Sequence, residues 1–516
     1  MRTIATLISL TTLSWAAPQQ PSLSAHELGE FGPNGPAFAS DDFGWGLRLH
    51  GTSVAVMHSF LSSQLSIKEY QFSGAQWQFA ADLPLSAQYW TFSYRGDLAL
   101  IGFAGFGGGA GRVAVLRKGA AGWTWSWLLA PDPANGPEAF GISTAIDGNT
   151  VVIANTECSK HFALEGAIYV YEDTGAALTL RHSFYGGASG RRLGMRVAVD
   201  GEHLLAELAE SGGWTLRAFA RQGGAWFETQ DSLSVNTGIN WGWLAMDRGL
   251  AVLTRYGGGA FVLANGGTGW YLDETIANIP ASGGLGSEVA ISDGVVALSA
   301  ILDSGAGADA GAVYLYARND GWKLQTSVVA ADTASGDYFG RGLALEERRM
   351  LVGAPGHDHF GTDRGSVVEF QLQHSPARVH CVAERTSSGC VAHMGFSGTP
   401  SASNPALFLV AATHVERERA GALVYSSGGP QFVPYPGGVR CLAAPRTVLS
   451  RQWSGGSPAG SACSGALGLD FNALIRSGAD PLLVPGHTVN AQWIFRDPTG
   501  PSALASSEAI EFTIQL

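Results

Sequence analysis

The sequence predicts an all-β protein, a seven-bladed β-propeller followed by a small disulfide-containing β-sandwich domain, from three observations. A phrase built on Phe-Gly and Gly-Ala-Pro recurs along most of the chain, a tryptophan recurs with the same period, and both stop after Leu372, where cysteines gather.

The phrase is complete once, at Phe339-Gly340 followed by Gly353-Ala354-Pro355. Worn copies begin at Phe43-Gly44, Phe140-Gly141, Leu193-Gly194, Trp241-Gly242 and Leu285-Gly286, and one without its glycine spans Thr91 to Phe103. These starts give a period of roughly 44 to 54 residues, near that of propeller arrays. Seven copies predict seven blades; six or eight would also fit the degenerate second and fifth units.

Each copy reads as four short strands. An apolar run such as Val289-Ala290-Ile291 leads through a Gly-containing turn into a second apolar run, the signal of a hairpin. A loop rich in Gly, Ala and Asp precedes a third strand such as GAIYVYE (166 to 172), where aromatic and β-branched residues suit a pleated surface. The fourth strand opens on Trp77, Trp123, Trp226, Trp270 or Trp322 and alternates in character, as in WTWSWLL (123 to 129). The fixed place of these five indoles predicts packing between neighbouring blades. Trp45, Trp90 and Trp243 lie off that marker and are the better ligand candidates. An open ring would leave strand edges unpaired. The segment from Ser22 resembles the strand-four segment from Lys323, so Ser22 to Gly29 is expected to complete the last blade.

The N-terminus carries Arg2, a short apolar run from Ile4 to Leu13, and Ser14-Trp15-Ala16, which has the small-x-small form of a cleavage site. Residues 1–16 therefore read as a secretory signal peptide, 17–373 as the propeller and 376–516 as the C-terminal domain. No later stretch reaches the ~18 apolar residues of a membrane span. A net charge of −12 argues against nucleic acid, whose phosphates require a basic patch. Secreted or extracellular localisation follows, with cell-surface association or the periplasm also open.

Four of the five cysteines, Cys381, Cys390, Cys441 and Cys463, fall in the C-terminal segment. Export favours disulfides, and four cysteines allow three pairings; Cys381 with Cys390 and Cys441 with Cys463 close the shortest loops. Cys158 stands apart and reads as a buried or loop thiol.

Residues 22 to 373 resemble the FG-GAP repeats of the integrin alpha-chain propeller, and still more the secreted bacterial proteins that carry such repeats. The C-terminal segment looks like the cysteine-containing β-rich extension of some of those proteins. Blades of this family often hold calcium on an Asp-x-Asp-x-Asp-Gly loop, which suits a hard cation. This chain lacks that pattern. Its nearest approaches are Asp303 with Asp309 and Asp358 with Asp363, which are either weak calcium candidates or solvated carboxylates in Gly-rich turns. His357-Asp358-His359 has the spacing of a transition-metal clip but no third ligand in its own loop, and reads as exposed. Arg95-Gly96-Asp97 takes the place of a hairpin turn and is explained by that.

No nucleophile elbow, zinc-protease helix or phosphate loop is present. The sequence favours an exported, non-catalytic, monomeric module for interaction or adhesion, with an extracellular protein, glycan or surface polymer as partner. The alternative is an extracellular hydrolase or lyase whose site lies at the central channel. Convergence of acids, bases or arginines from three blades would favour the second.

Overall fold

The computed structural model describes residues 22–33, 42–60, 64–84, 91–105, 110–132, 139–210, 213–233, 242–255, 259–267, 269–276, 285–435, 438–457 and 461–516. Residues 1–16, expected to be a signal peptide, and Trp90 lie outside these.

Residues 22–375 form seven four-stranded antiparallel sheets among the described residues. The first runs Gly46–His50, Ser53–Phe60, Gln64–Phe72 and Trp77–Asp82, in spatial as in chain order. The opening strands of the next six are Thr91–Arg95, Phe140–Asp147, Val197–Asp200, Leu244–Asp247, Leu285–Ser292 and Gly342–Glu346. Each opening strand touches the opening strand of the sheet before and after it, and Gly342–Glu346 touches Gly46–His50. Sheets set radially around such a circuit make a β-propeller.

The recurring phrase is a packing device between sheets. Phe43, Phe140, Leu193 and Phe339 are fully buried. Gly44 follows with φ of 93°, in the left-handed region, and a Cβ there would stand 2.5 Å from the Ser366 carbonyl oxygen. Gly353, of the Gly-Ala-Pro phrase, would place a Cβ 2.0 Å from the Gly44 oxygen. The two backbones approach as closely as they do because neither residue has a side chain. The hairpin turns are equally local in origin: Arg248 and Gly249, and Asp293 and Gly294, all have positive φ, as a type I′ turn demands.

The seventh sheet takes its outer strand from the N-terminus: Ser22–Phe31 pairs antiparallel with Ser366–Ser375, followed inward by Arg349–Ala354 and Gly342–Glu346. A bulge between Glu27 and Gly29 shifts the register, so that Glu30 rather than Gly29 lies opposite Val368.

The C-terminal segment folds around its own core. One sheet contains Ala377–His380, Leu504–Thr513, Thr488–Arg496 and Ala420–Ser426, with Arg446–Val448 at its edge. A second contains His393–Ser397, Leu409–Val415 and Gly465–Asp470. Trp493, Phe495, Ile510 and Phe512 of the first pack with Met394, Phe396, Val410 and Leu467 of the second. The helix Phe471–Arg476, capped by Asp470, closes one end; its shortness left no periodic signal in the sequence.

The disulfides correct the expected pairing. Cys381 is bonded to Cys441 and Cys390 to Cys463, across 60 and 73 residues. The chain doubles back at Arg385 and Val391, which bridge each other, so Cys390 sits beside the turn while Cys381 lies four residues back along the other arm. Cys381 and Cys441 pack together in the apolar cluster on the propeller seam, and Cys390 lies outside that cluster.

The two units meet over a buried seam. Val382, Val439, Cys441 and Leu442 share one apolar cluster with Val262, Ile276, Val296 and Tyr316 of the fifth and sixth sheets. At its centre Arg318, almost fully buried, is paired with Asp273 of the fifth sheet, lies 3.3 Å from Glu508 of the C-terminal unit, and donates to the Cys381 carbonyl at 2.8 Å.

Candidate functional site

The periodic tryptophans are structural. Trp77, Trp226, Trp270 and Trp322 are buried and Trp123 is half-buried. Three of them turn their indole N–H onto a carboxylate of the preceding sheet: Trp77 to Glu369 at 2.9 Å, Trp123 to Glu69 at 3.0 Å and Trp322 to Asp273 at 3.3 Å.

Exposed aromatic surface concentrates on the outer strand of the second sheet, Gly122–Leu129. Alternation along Trp123-Thr124-Trp125-Ser126-Trp127 puts three indoles on one face. Cross-strand pairing sets Trp125 opposite Leu116 and Trp127 opposite Ala114, both part of the cluster packed against the first sheet. Trp123 fills that wedge. Its two successors stand on the same face and remain 41% and 36% exposed. Trp125 meets Trp127 edge-on at 5.0 Å, Phe103 meets Trp127 at 5.3 Å, and the Arg112 guanidinium lies 3.9 Å from the Trp127 ring centre. The two indoles stand nearly perpendicular and the guanidinium covers one face of Trp127, so the exposed patch is an aromatic edge capped by a cation. The sequence carries this signal in the triple alternation, but the packing expectation covers only Trp123 of this run, and the ligand candidates it names are Trp45, Trp90 and Trp243.

Trp45 and Trp243 are 37% and 40% exposed, and Arg341 stacks 4.1 Å from the Trp45 ring centre. On the innermost strands, Glu288 is buried, which pushes its carboxyl up to about 7 against the opposing charges of Arg48 and Arg341. Glu288 and Arg48 lie on the opening strands of the sixth and first sheets, and Arg341 immediately precedes that of the seventh.

The aspartates singled out as calcium candidates are engaged locally. Asp303 accepts from the Gly305 amide at 2.9 Å and the Tyr314 hydroxyl at 2.8 Å, and Asp358 accepts from the Asp363 amide at 2.7 Å. Asp309 and Asp363 are exposed, with positive φ. Among the described residues, the group whose ligand atoms converge is instead Glu30, Asp332 and His359. His357 is buried beside them, its imidazole lifted to about 9 chiefly by the hydrogen bond with Glu30. Arg95 is occupied within the chain, by Asp97 at 2.8 Å and Asp173 at 3.0 Å. Cys158 is buried, accepts from the Tyr169 hydroxyl at 3.7 Å, and its thiol is pushed up by burial, away from nucleophilic use.

The fold is thus that of a β-propeller protein. Residues 322–368 match the FG-GAP repeat, so the chain carries that repeat in its sixth and seventh sheets. Similar solved structures include a protein from Lactobacillus plantarum, at 14% identity and a TM-score of 0.39 over 56% of this chain and 84% of that one. The β-propeller domain of the Trilobed protease from Pyrococcus furiosus, described as having an open velcro topology, matches at 11% identity and 0.38 over 60% and 90%. Saccharomyces cerevisiae Sqt1 matches at 13% and 0.38 over 75% and 96%. No curated protein matches the chain in sequence.

Proposed function

We propose that the chain is an exported interaction module: a closed seven-bladed propeller (17–373, behind a leader 1–16) joined to a β-sandwich-like domain (376–516), presenting aromatic surface to an extracellular glycan or protein. The observation that carries this reading is the exposed Trp125–Trp127 pair, set edge-on with Arg112 over the Trp127 ring. Large exposed rings are costly to leave in water and serve binding. Export is supported by the leader-like N-terminus and by two disulfides, which persist in oxidising compartments. No helix among the described residues is long and apolar enough to cross a membrane.

The test is binding of the intact protein to a glycan array and to immobilised extracellular polymers, compared with the double variant W125A/W127A. Retention lost at an unchanged melting temperature supports the reading. Equal retention by the variant removes the pair from it.

A second reading, chemistry at the central channel, rests on Glu288 with Arg48 and Arg341. A carboxyl with a pKa near neutrality is suited to general acid or base work. Hydrolysis or elimination on a polysaccharide panel that disappears in E288Q would favour this reading over the first.

A further inference from the structure

Three distant parts of the chain meet at the outer margin of the seventh sheet. Glu30 comes from the N-terminal strand, Asp332 from the connection between the sixth and seventh sheets, and His359 from the connection between Arg349–Ala354 and Ser366–Ser375. Their placement has local causes. The bulge at Gly29 brings Glu30 opposite Val368, whose side chain belongs to the cluster between the sixth and seventh sheets, so Glu30 shares the face turned toward the connection that holds Asp332. Phe360 packs over Gly32, where a Cβ would stand 2.2 Å from its ring, and this lays the His359 loop against the N-terminal strand.

The oxygens are divided between two imidazoles. Buried His357 places Nδ1 2.8 Å from Glu30 Oε1 and Nε2 3.4 Å from Asp332 Oδ1. The other oxygen of each carboxylate is turned to His359: its Nδ1 lies 3.2 Å from Glu30 Oε2 and 3.2 Å from Asp332 Oδ2. Ligands about 2.0–2.1 Å from a tetrahedral zinc ion stand roughly 3.3 Å apart, close to both separations. One imidazole and two carboxylate oxygens, each carboxylate oriented through its second oxygen, is the ligand set and supporting contact of a borderline divalent ion with a free coordination position. His359 and Asp332 are half exposed, which leaves a path from solvent.

We propose that Glu30, Asp332 and His359 bind a divalent transition ion, zinc foremost, and that the ion fastens the N-terminal strand into the seventh sheet. His357 is the positioning residue that holds both carboxylates. The site uses neither of the aspartate pairs that approach the calcium pattern.

The test uses the full mature chain, stripped with a chelator and titrated calorimetrically with zinc, with melting temperature recorded alongside. One equivalent of zinc is expected to bind with micromolar or better affinity and to raise the melting temperature. H359A, a change at an exposed loop, is expected to weaken binding at least tenfold and abolish the rise. D358N, whose side chain serves only its own loop, leaves both intact. Absence of zinc binding overturns the proposal, as does binding unchanged in H359A. A rise produced by calcium but not by zinc overturns the assignment of a transition ion.

Discussion

The Gly51 amide donates to Glu346 Oε2 at 2.6 Å, joining the first sheet to the seventh across 295 residues. The same relation recurs around the ring: the Gly201 amide reaches Asp147 at 2.7 Å, the Asp293 amide reaches Asp247 at 2.8 Å, and the Glu347 amide reaches Ser292 at 2.9 Å. In each case a hairpin turn is held by the end of the preceding opening strand. Each bond contributes about 1 kcal/mol. E346A is therefore expected to cost roughly that much. Deleting Ser22–Phe31 uncovers a whole strand edge and its apolar partners Leu372 and Phe370, and is expected to lower the melting temperature by far more and to promote association. Thermal melting and size-exclusion chromatography of both variants check this; a deletion variant that melts like the parent would show that the ring does not depend on its N-terminal strand.

Glu288 makes a prediction in pH. Burial raises its folded pKa from 4.5 to about 7. Below pH 4.5 the carboxyl is protonated in both states and adds no pH dependence. As pH rises toward 7 the unfolded state ionises first, so the folded state loses stability, by on the order of 3 kcal/mol once both are ionised. E288Q should match the parent near pH 4 and melt higher at pH 8. Parallel melting curves at both pH values would mean that water or a partner already relieves the charge.

The sequence exposed the propeller because its markers are the residues that join sheets. Phe43, Gly44 and Gly353 recur since a similar close approach is repeated at other joints, by Gly141 against Gly102, Gly194 against Ala154 and Gly340 against Ser299, and Trp77 and Trp123 recur since each closes a wedge onto a carboxylate. The candidate site was less legible. His357-x-His359 is visible as a pair, but its partners lie 327 and 27 residues away, on the N-terminal strand and on the connection between the sixth and seventh sheets, and the bulge that aims Glu30 has no sequence signature beyond Gly29. The disulfides were misread because loop length says nothing about which strands a later sheet places side by side.

The observed pairing is directly measurable. Proteolysis without reductant should release one peptide pair joining the Cys381 and Cys441 regions and a second joining Cys390 and Cys463. Loops of 60 and 73 residues constrain the unfolded chain by roughly 4 kcal/mol each in the chain-entropy model. Reduction should lower the melting point of the C-terminal unit in particular. A peptide linking Cys381 to Cys390 would refute the arrangement.

Arg318 tests whether the two units are one cooperative structure. Its guanidinium is the buried counter-charge to Asp273 in the propeller and Glu508 in the C-terminal unit, and Glu508 in turn accepts from the Met394 amide at 2.5 Å. Truncating the cation leaves two carboxylates enclosed without it, a loss of roughly 3–5 kcal/mol that falls on the seam. R318A should therefore separate a single melting transition into two, with the C-terminal unit leaving first and becoming sensitive to protease. R318K keeps the charge but loses the fork that spans Asp273 and the Cys381 carbonyl, and should fall between the two. If R318A keeps one transition at the parent temperature, the apolar cluster around Val439 and Val262 is sufficient to hold the units together and the ion pair sets only their register.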